Sequence, residues 1–313
     1  MDTAIKSERA LRRQAGVKLM KRMWMLYLFL LVPVGFTILF NYVPMYGVQI
    51  AFKTFRAAEG IWGSKWNNFY HFYILFQGKT FPKALWNTIY ISFMRLIVGF
   101  PMPIIFAILL NEIRGMMFKR VVQTVSYLPH FMSWVVLSGI IKQVLSPTRG
   151  VLNALLGLIG IEPIFFLTEV KMFVPILLIS SIWAGVGWGA IIYLASMSAI
   201  DPELYESASI DGAGRFRKAV NITVPLLMPV ITIQLILSLG GILSAGFDQI
   251  FNLMNPRVMD AAEIIDTYVY RIGLTDMKYD LAAAVGLFKN VVGVMLVIFA
   301  NMFARRFSEF GIW

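Results

Sequence analysis

Six apolar windows, separated by connections that hold most of the charge, set the pattern of this chain. Four of them, residues 24–46, 121–141, 172–200 and 219–247, contain no Asp, Glu, Lys or Arg. Two more, 86–110 and 281–304, hold one charge each, Arg95 and Lys289. Crossing the hydrocarbon of a bilayer takes ~20 residues, so the pattern predicts six transmembrane spans over about 24–46, 86–110, 121–141, 172–197, 219–247 and 281–304. Lipid offers backbone groups no hydrogen-bond partner, and the alternation of a membrane barrel is absent. The expected fold is therefore an all-α membrane protein with six transmembrane helices.

Composition agrees with that pattern. Hydrophobic residues make up 58% of the chain and charged residues only 14%, which excludes a water-soluble globule. The first apolar run follows Lys18, Lys21 and Arg22 but is longer than the core of a secretory signal and lacks a small-residue cleavage site. It is expected to stay as the first helix, behind a basic segment 1–23. No cysteine is present, which removes disulfides, thiolate metal sites and thiol catalysis.

The net charge of +11 reads as positive-inside topology and contact with anionic lipid rather than as a nucleic-acid surface. Connections on the N-terminal side hold fifteen Lys and Arg, and those on the other side hold ten over a longer stretch. The bias places the N-terminus and the tail 305–313 inside. Residues 47–85, rich in aromatics such as Trp62, Trp66, Phe69 and Tyr73, are suited to anchoring at the outer interface or docking a partner. Residues 248–280 carry six acidic side chains and read as a solvated external loop.

One inner connection, 201–218, differs from an ordinary loop. Asp201-Pro202 is a helix-start signal, an N-cap followed by proline at the first helical position. A short amphipathic helix is expected to about Ile210, ended at Gly212 by a positive φ, before Arg215-Phe216-Arg217-Lys218 leads into the fifth span. Glu206, Ala208, Asp211, Gly212, Ala213, Ile222 and Pro225 resemble the EAA loop of the membrane subunits of ABC importers, in order, spacing and position before the penultimate span. Ser207 departs from that pattern, standing where an alanine is usual. The six-span arrangement looks like the carbohydrate-uptake permeases, including those for fragments of complex polysaccharides.

The resemblance implies a type I ABC importer permease that works by alternating access. It implies an ATPase-coupling helix, with Tyr205, Glu206, Ser207, Ala208, Ser209, Asp211, Gly212 and Ala213 at the contact. Its partners would be a second permease subunit in a heterodimer, two cytoplasmic ATPase subunits, an extracytoplasmic solute-binding protein and an oligosaccharide. The chain has no G-x-x-x-x-G-K-[ST] phosphate cradle. It is thus expected to bind no cofactor and not to be an enzyme, with ATP and Mg used by the partner ATPases. An ion-gradient-driven secondary transporter is the alternative; it would require acidic residues inside the spans, which the sequence lacks.

Asn87, Arg95, Trp183, Trp188, Gln234, Lys289 and Asn290 are the pathway candidates, since aromatic faces stack on the C–H side of a sugar and amides bond its hydroxyls. Helix packing is the competing account, because Gly185, Gly187 and Gly189 flank the two tryptophans. His130 is expected to be a hydrogen-bonded residue facing the bundle. Arg95 and Lys289 lie near mid-membrane with no acidic residue in the spans, so snorkelling, pairing with the second subunit and lining the pathway all remain open.

Overall fold

The computed structural model describes residues 23–307, with side chains described through Met302. The expected basic segment before Met23 and residues 308–313 of the expected tail lie outside the described residues. Among the described residues, five helices are long and apolar enough to cross a membrane: Trp24–Phe52 (span 1), Thr80–Asn111 (span 2), Val170–Met197 (span 4), Arg215–Gly240 (span 5) and Tyr279–Met302 (span 6). A sixth crossing exists if the bent pair Met116–Phe131 and Trp134–Val144 counts as one (span 3).

That bend, 108°, replaces the straight helix expected over 121–141. Pro129 sits in a tight turn, Leu128–Phe131, whose end runs into extended backbone at Met132. Ser133, also extended, then caps the second limb by accepting a hydrogen bond from the Val136 amide at 3.4 Å.

Prolines shape the other spans more gently. Wide π-turns at Ile38–Tyr42, Arg95–Gly99 and Ala219–Thr223 each end two residues before a proline, Pro44, Pro101 and Pro225. A proline ring crowds the carbonyl one turn back and donates no hydrogen bond, and a widened turn relieves both faults.

Span 5 stops at Gly240 rather than continuing to 247, and residues 241–246 turn the chain back. Gly246, at φ +86°, begins a short helix, Phe247–Leu253. Residues 248–280 are therefore not a solvated loop. They fold inward as Phe247–Leu253, Met259–Ala262 and Ile265–Tyr270, and Gln249, Ile250, Leu253, Val258, Ala262, Ile264, Ile265 and Thr267 are buried. The acidic residues misled the sequence reading because the apolar residues between them follow no single period.

Three clusters form the core. One packs this inward segment on Ile91, Ile141, Phe173 and Leu177. A second joins Ile265, Tyr268 and Ile272 to Ala51, Leu75, Phe81, Ala84, Ala284 and Val285. The third sits at the opposite end, where Ala107, Ala190, Tyr193, Met197 and Leu227 hold spans 2, 4 and 5 together. In the connection between spans 1 and 2, two-residue strands β1 (Lys53–Thr54) and β2 (Lys65–Trp66) pair antiparallel, while Trp62, Trp66 and Phe69 stay exposed. Span 1 is the exception to this packing: none of Trp24–Thr37 is buried.

Candidate functional site

The connection 201–218 folds as its sequence dictates. Asp201 Oδ1 accepts from the Glu203 amide at 3.0 Å, Pro202 opens the helix, and the helix runs Pro202–Ile210. Its end is a Schellman motif: Ala213 N donates to Ala208 O at 2.8 Å and Gly212 N to Ser209 O at 3.1 Å. Gly212 adopts φ +75°, which a side chain would strain. Tyr205 and Ala208 face the body of the protein, and Glu206, Ser207, Ser209, Asp211 and Gly212 are exposed; Ala213 is half-buried.

Polar contacts fix this helix to the spans. The Tyr205 hydroxyl meets Thr223 Oγ1 of span 5 at 2.9 Å, and Lys218 Nζ donates to Ser209 Oγ. Arg215 Nε lies 3.5 Å from Glu112 Oε2 at the end of span 2. Leu204, Ile210 and Phe216 remain exposed, the last two at 87% and 83%. The helix is thus joined directly to span 5, and the first residue of span 5 meets the end of span 2.

Within the membrane region, three cavities share walls. The bend in span 3 opens the first, of about 530 Å³, between His130, Ser133 and Trp134 of the bend, Ser181 and Gly185 of span 4, and Asp248 and Asn252 of the inward segment. A second, of about 210 Å³, shares Ser181 and Gly185 and reaches Arg95. A third, of about 310 Å³, shares Arg95 and adds Ser92, Ser238, Gly241 and Ser244. His130 is exposed to the first cavity and stacks flat on Trp188, ring centroids 4.5 Å apart at 4°. Among the described residues it makes no hydrogen bond, contrary to expectation.

The sequence-derived candidates part company here. Arg95 lines two cavities, and Trp188 stacks on His130 without lining any of the three itself. Trp183 lies instead on an apolar hollow with Ile140 and Ile179. Gln234 is half-buried and Asn290 exposed, and neither lines the three cavities. Asn87 Nδ2 donates to the carbonyls of Asp260 and Glu263, both at 3.0 Å, stitching span 2 to the inward segment. Lys289 finds Asp266 at 2.5 Å, so the expectation that no carboxylate of this chain reaches its depth fails; the inward segment supplies one. The glycines divide too. A Cβ on Gly187 would overlap the backbone of Ser126, and one on Gly189 would press Pro103 at 3.0 Å, whereas Gly185 opens onto the cavities.

Arg95 Nη2 donates to Gln249 Oε1, and Gln249 Nε2 donates in turn to Leu177 O at 2.9 Å and Ser180 Oγ at 2.7 Å. Gln249, Ser181, Asp248 and Asn252 were not legible as site residues, because only the fold-back of the inward segment brings them together.

Comparison with known proteins places these features in a family. Residues 99–309 match the family described as binding-protein-dependent transport system inner membrane component. The polygalacturonan/rhamnogalacturonan transport system permease protein YteP of Bacillus subtilis is 42% identical over 302 residues, covering 96% of this chain and 94% of that protein. The arabinooligosaccharides permease AraP of the same species is 28% identical, over 75% of this chain and 74% of its own. A chain from the crystal structure of a bacterial alginate ABC transporter, in complex with an alginate pentasaccharide-bound periplasmic protein, superposes with a TM-score of 0.87 at 41% identity, over 94% of this chain and 99% of that one.

Proposed function

This chain belongs to the binding-protein-dependent transport system inner membrane components, the multi-pass permease subunits of ABC importers, and from that premise we propose that it carries oligosaccharides released from a polysaccharide inward by alternating access. It is a transporter rather than an enzyme. Separate ATPase subunits dock on Pro202–Ile210, with Glu206, Ser207, Ser209 and Asp211 at the contact and Ile210 filling an apolar hollow of the partner. An outer binding protein delivers the sugar, and the N-terminus and tail lie on the ATPase side.

The observation that carries this reading is the coupling helix itself. It is capped at both ends, tied to span 5, and presents no buried residue of its own. A rigid element whose outward face lacks a partner is suited to receive one. The names of the relatives, which specify sugars, support the substrate class. Span 1, with Trp24–Thr37 entirely uncovered, supports a second permease chain beside it.

The test is to purify the chain with its associated subunits, reconstitute the complex in proteoliposomes and follow labelled oligosaccharide. Uptake requiring ATP and the binding protein is expected. Uptake driven by a sodium or proton gradient without ATP would replace the reading with secondary transport. Reporters fused after Arg114 and Arg215 should lie inside, and those after Lys65 and Asp260 outside; an outside Arg215 removes the coupling role.

A further inference from the structure

Arg95 is a cation at the junction of two cavities in the membrane region, and no described residue balances its charge. Among the described residues it forms no ion pair, and its one hydrogen bond goes to the neutral Gln249 amide. Nε is buried without any partner, and so is Ser92 Oγ, one turn earlier on the same face of span 2. Both residues line the 310 Å³ cavity, where Ser238 and Ser244 add hydroxyl groups.

A charged guanidinium at this depth is costly unless a partner or water meets it. Lys289, at a similar depth in span 6, shows how the chain normally answers that cost, with Asp266 at 2.5 Å. Among the described residues, none plays that part for Arg95. The surroundings instead hold its position: a Cβ on Gly246 would overlap the guanidinium, and Gln249 is itself anchored by Leu177 and Ser180.

We propose that Arg95 and Ser92 form a carboxylate subsite in the transport path, which receives the uronate group of an acidic oligosaccharide as it passes. This rests on the oligosaccharide import argued above. A carboxylate entering the cavity supplies both the missing charge and the missing acceptors, and charge-assisted hydrogen bonds are the stronger kind. Asp248 and Asn252 in the first cavity suit hydroxyls and repel an anion, so the acidic group is directed to the Arg95 end. A single cation with neutral companions binds and still releases, as a path must.

The experiment measures uptake of trigalacturonate and of its fully methyl-esterified, neutral counterpart by the complete reconstituted complex. Arg95→Gln should raise the half-saturating concentration for trigalacturonate about 10- to 100-fold, and Arg95→Lys less, while uptake of the neutral ester stays within about twofold. Ser92→Ala removes only a hydroxyl that has no protein partner, so it assembles normally and should raise the trigalacturonate value about threefold. Equal losses for both sugars in Arg95→Gln and Ser92→Ala, or no change in either variant, would overturn the subsite. Wild-type complex that imports neutral oligosaccharides but no galacturonide also overturns it, leaving the importer reading intact. A complex that imports no oligosaccharide defeats both. If Arg95→Gln fails to assemble, an unchanged trigalacturonate value in Ser92→Ala rejects the proposal.

Discussion

The two connections that flank span 5 lie at its opposite ends, 201–218 on the side proposed as inner and 241–276 on the side proposed as outer, and they treat their apolar residues in opposite ways. The outer one, 241–276, folds back into the protein and buries Ile250, Leu253, Val258, Ile264 and Ile265 almost completely. The inner one, 201–218, is as well ordered by hydrogen bonds, yet Pro202–Ile210 buries no side chain and leaves Ile210 and Phe216 in the open. Each buried Ile or Leu contributes roughly 1.5–3 kcal/mol, so the outer segment is stabilised by its own chain. The helix Pro202–Ile210 is stabilised locally, by a cap, a Schellman end and two ties to span 5, and its outward face stays uncovered. Burial thus separates the connection that builds the permease from the one proposed to couple it.

Reversing a charge on the inner helix should have the largest effect. Glu206 is exposed and makes no contact that holds the fold, so Glu206→Lys should insert and assemble normally. Against a basic group of an ATPase cleft it becomes repulsive, and transport-coupled ATP hydrolysis should fall more than 100-fold, as expected when like charges cost several kcal/mol. Uptake at the wild-type rate by this variant removes the coupling assignment.

An outer change should instead cost stability. Asp266→Asn leaves Lys289 without its anion, and breaking a buried pair costs about 3–5 kcal/mol, lowered to about 2 because roughly a fifth of each side chain is exposed. The purified complex should melt at a lower temperature with transport per intact complex unchanged. Adding Lys289→Met should restore at least half of the loss; strictly additive single effects would mean the pair does not fasten span 6 to the inward segment.

Gly212→Ala tests the inner helix locally. A side chain at φ +75° costs about 1 kcal/mol, so amide protection across 205–213 should drop about fivefold in hydrogen exchange, with the outer segment unaffected. Unaltered protection would show that the turn is not held by its glycine.

The sequence exposed the inner helix well and the outer segment poorly, for physical reasons. Capping and helix termination are local: Asp201-Pro202 and Gly212 specify start and stop without reference to the rest of the fold. Span existence is equally local, since hydrophobic length alone decides it. The bend in span 3 was hidden because Pro129 and Ser133 lie in an uncharged run, and a charge-based window cannot see a kink. The inward segment was hidden because its order depends on distant partners. Ile265 N donates to Thr88 Oγ1 at 2.8 Å across 177 residues, and Asn87 reaches Asp260 and Glu263 over similar separations. Of the pathway candidates, Arg95 was legible because a charge in an apolar span is conspicuous, whereas Gln249 and Ser92 are ordinary until the fold brings them beside it.

Tyr205→Phe should have the smallest effect, and it separates docking from transmission. The Tyr205 hydroxyl is the contact from the coupling helix to Thr223, a buried residue in the π-turn at the start of span 5. Removing it deletes one hydrogen bond and leaves the ring in place, at a cost of about 1 kcal/mol or less, because the Thr223 hydroxyl can turn to a carbonyl of its own helix. The outward face with Glu206 is untouched, so ATPase binding should keep its affinity. If Tyr205–Thr223 carries part of the movement, sugar imported per ATP hydrolysed should fall about twofold, because Lys218–Ser209 still joins the helix to span 5. Weakened ATPase binding with an unchanged sugar-to-ATP ratio would assign Tyr205 to docking, and the tie to span 5 would then be structural only.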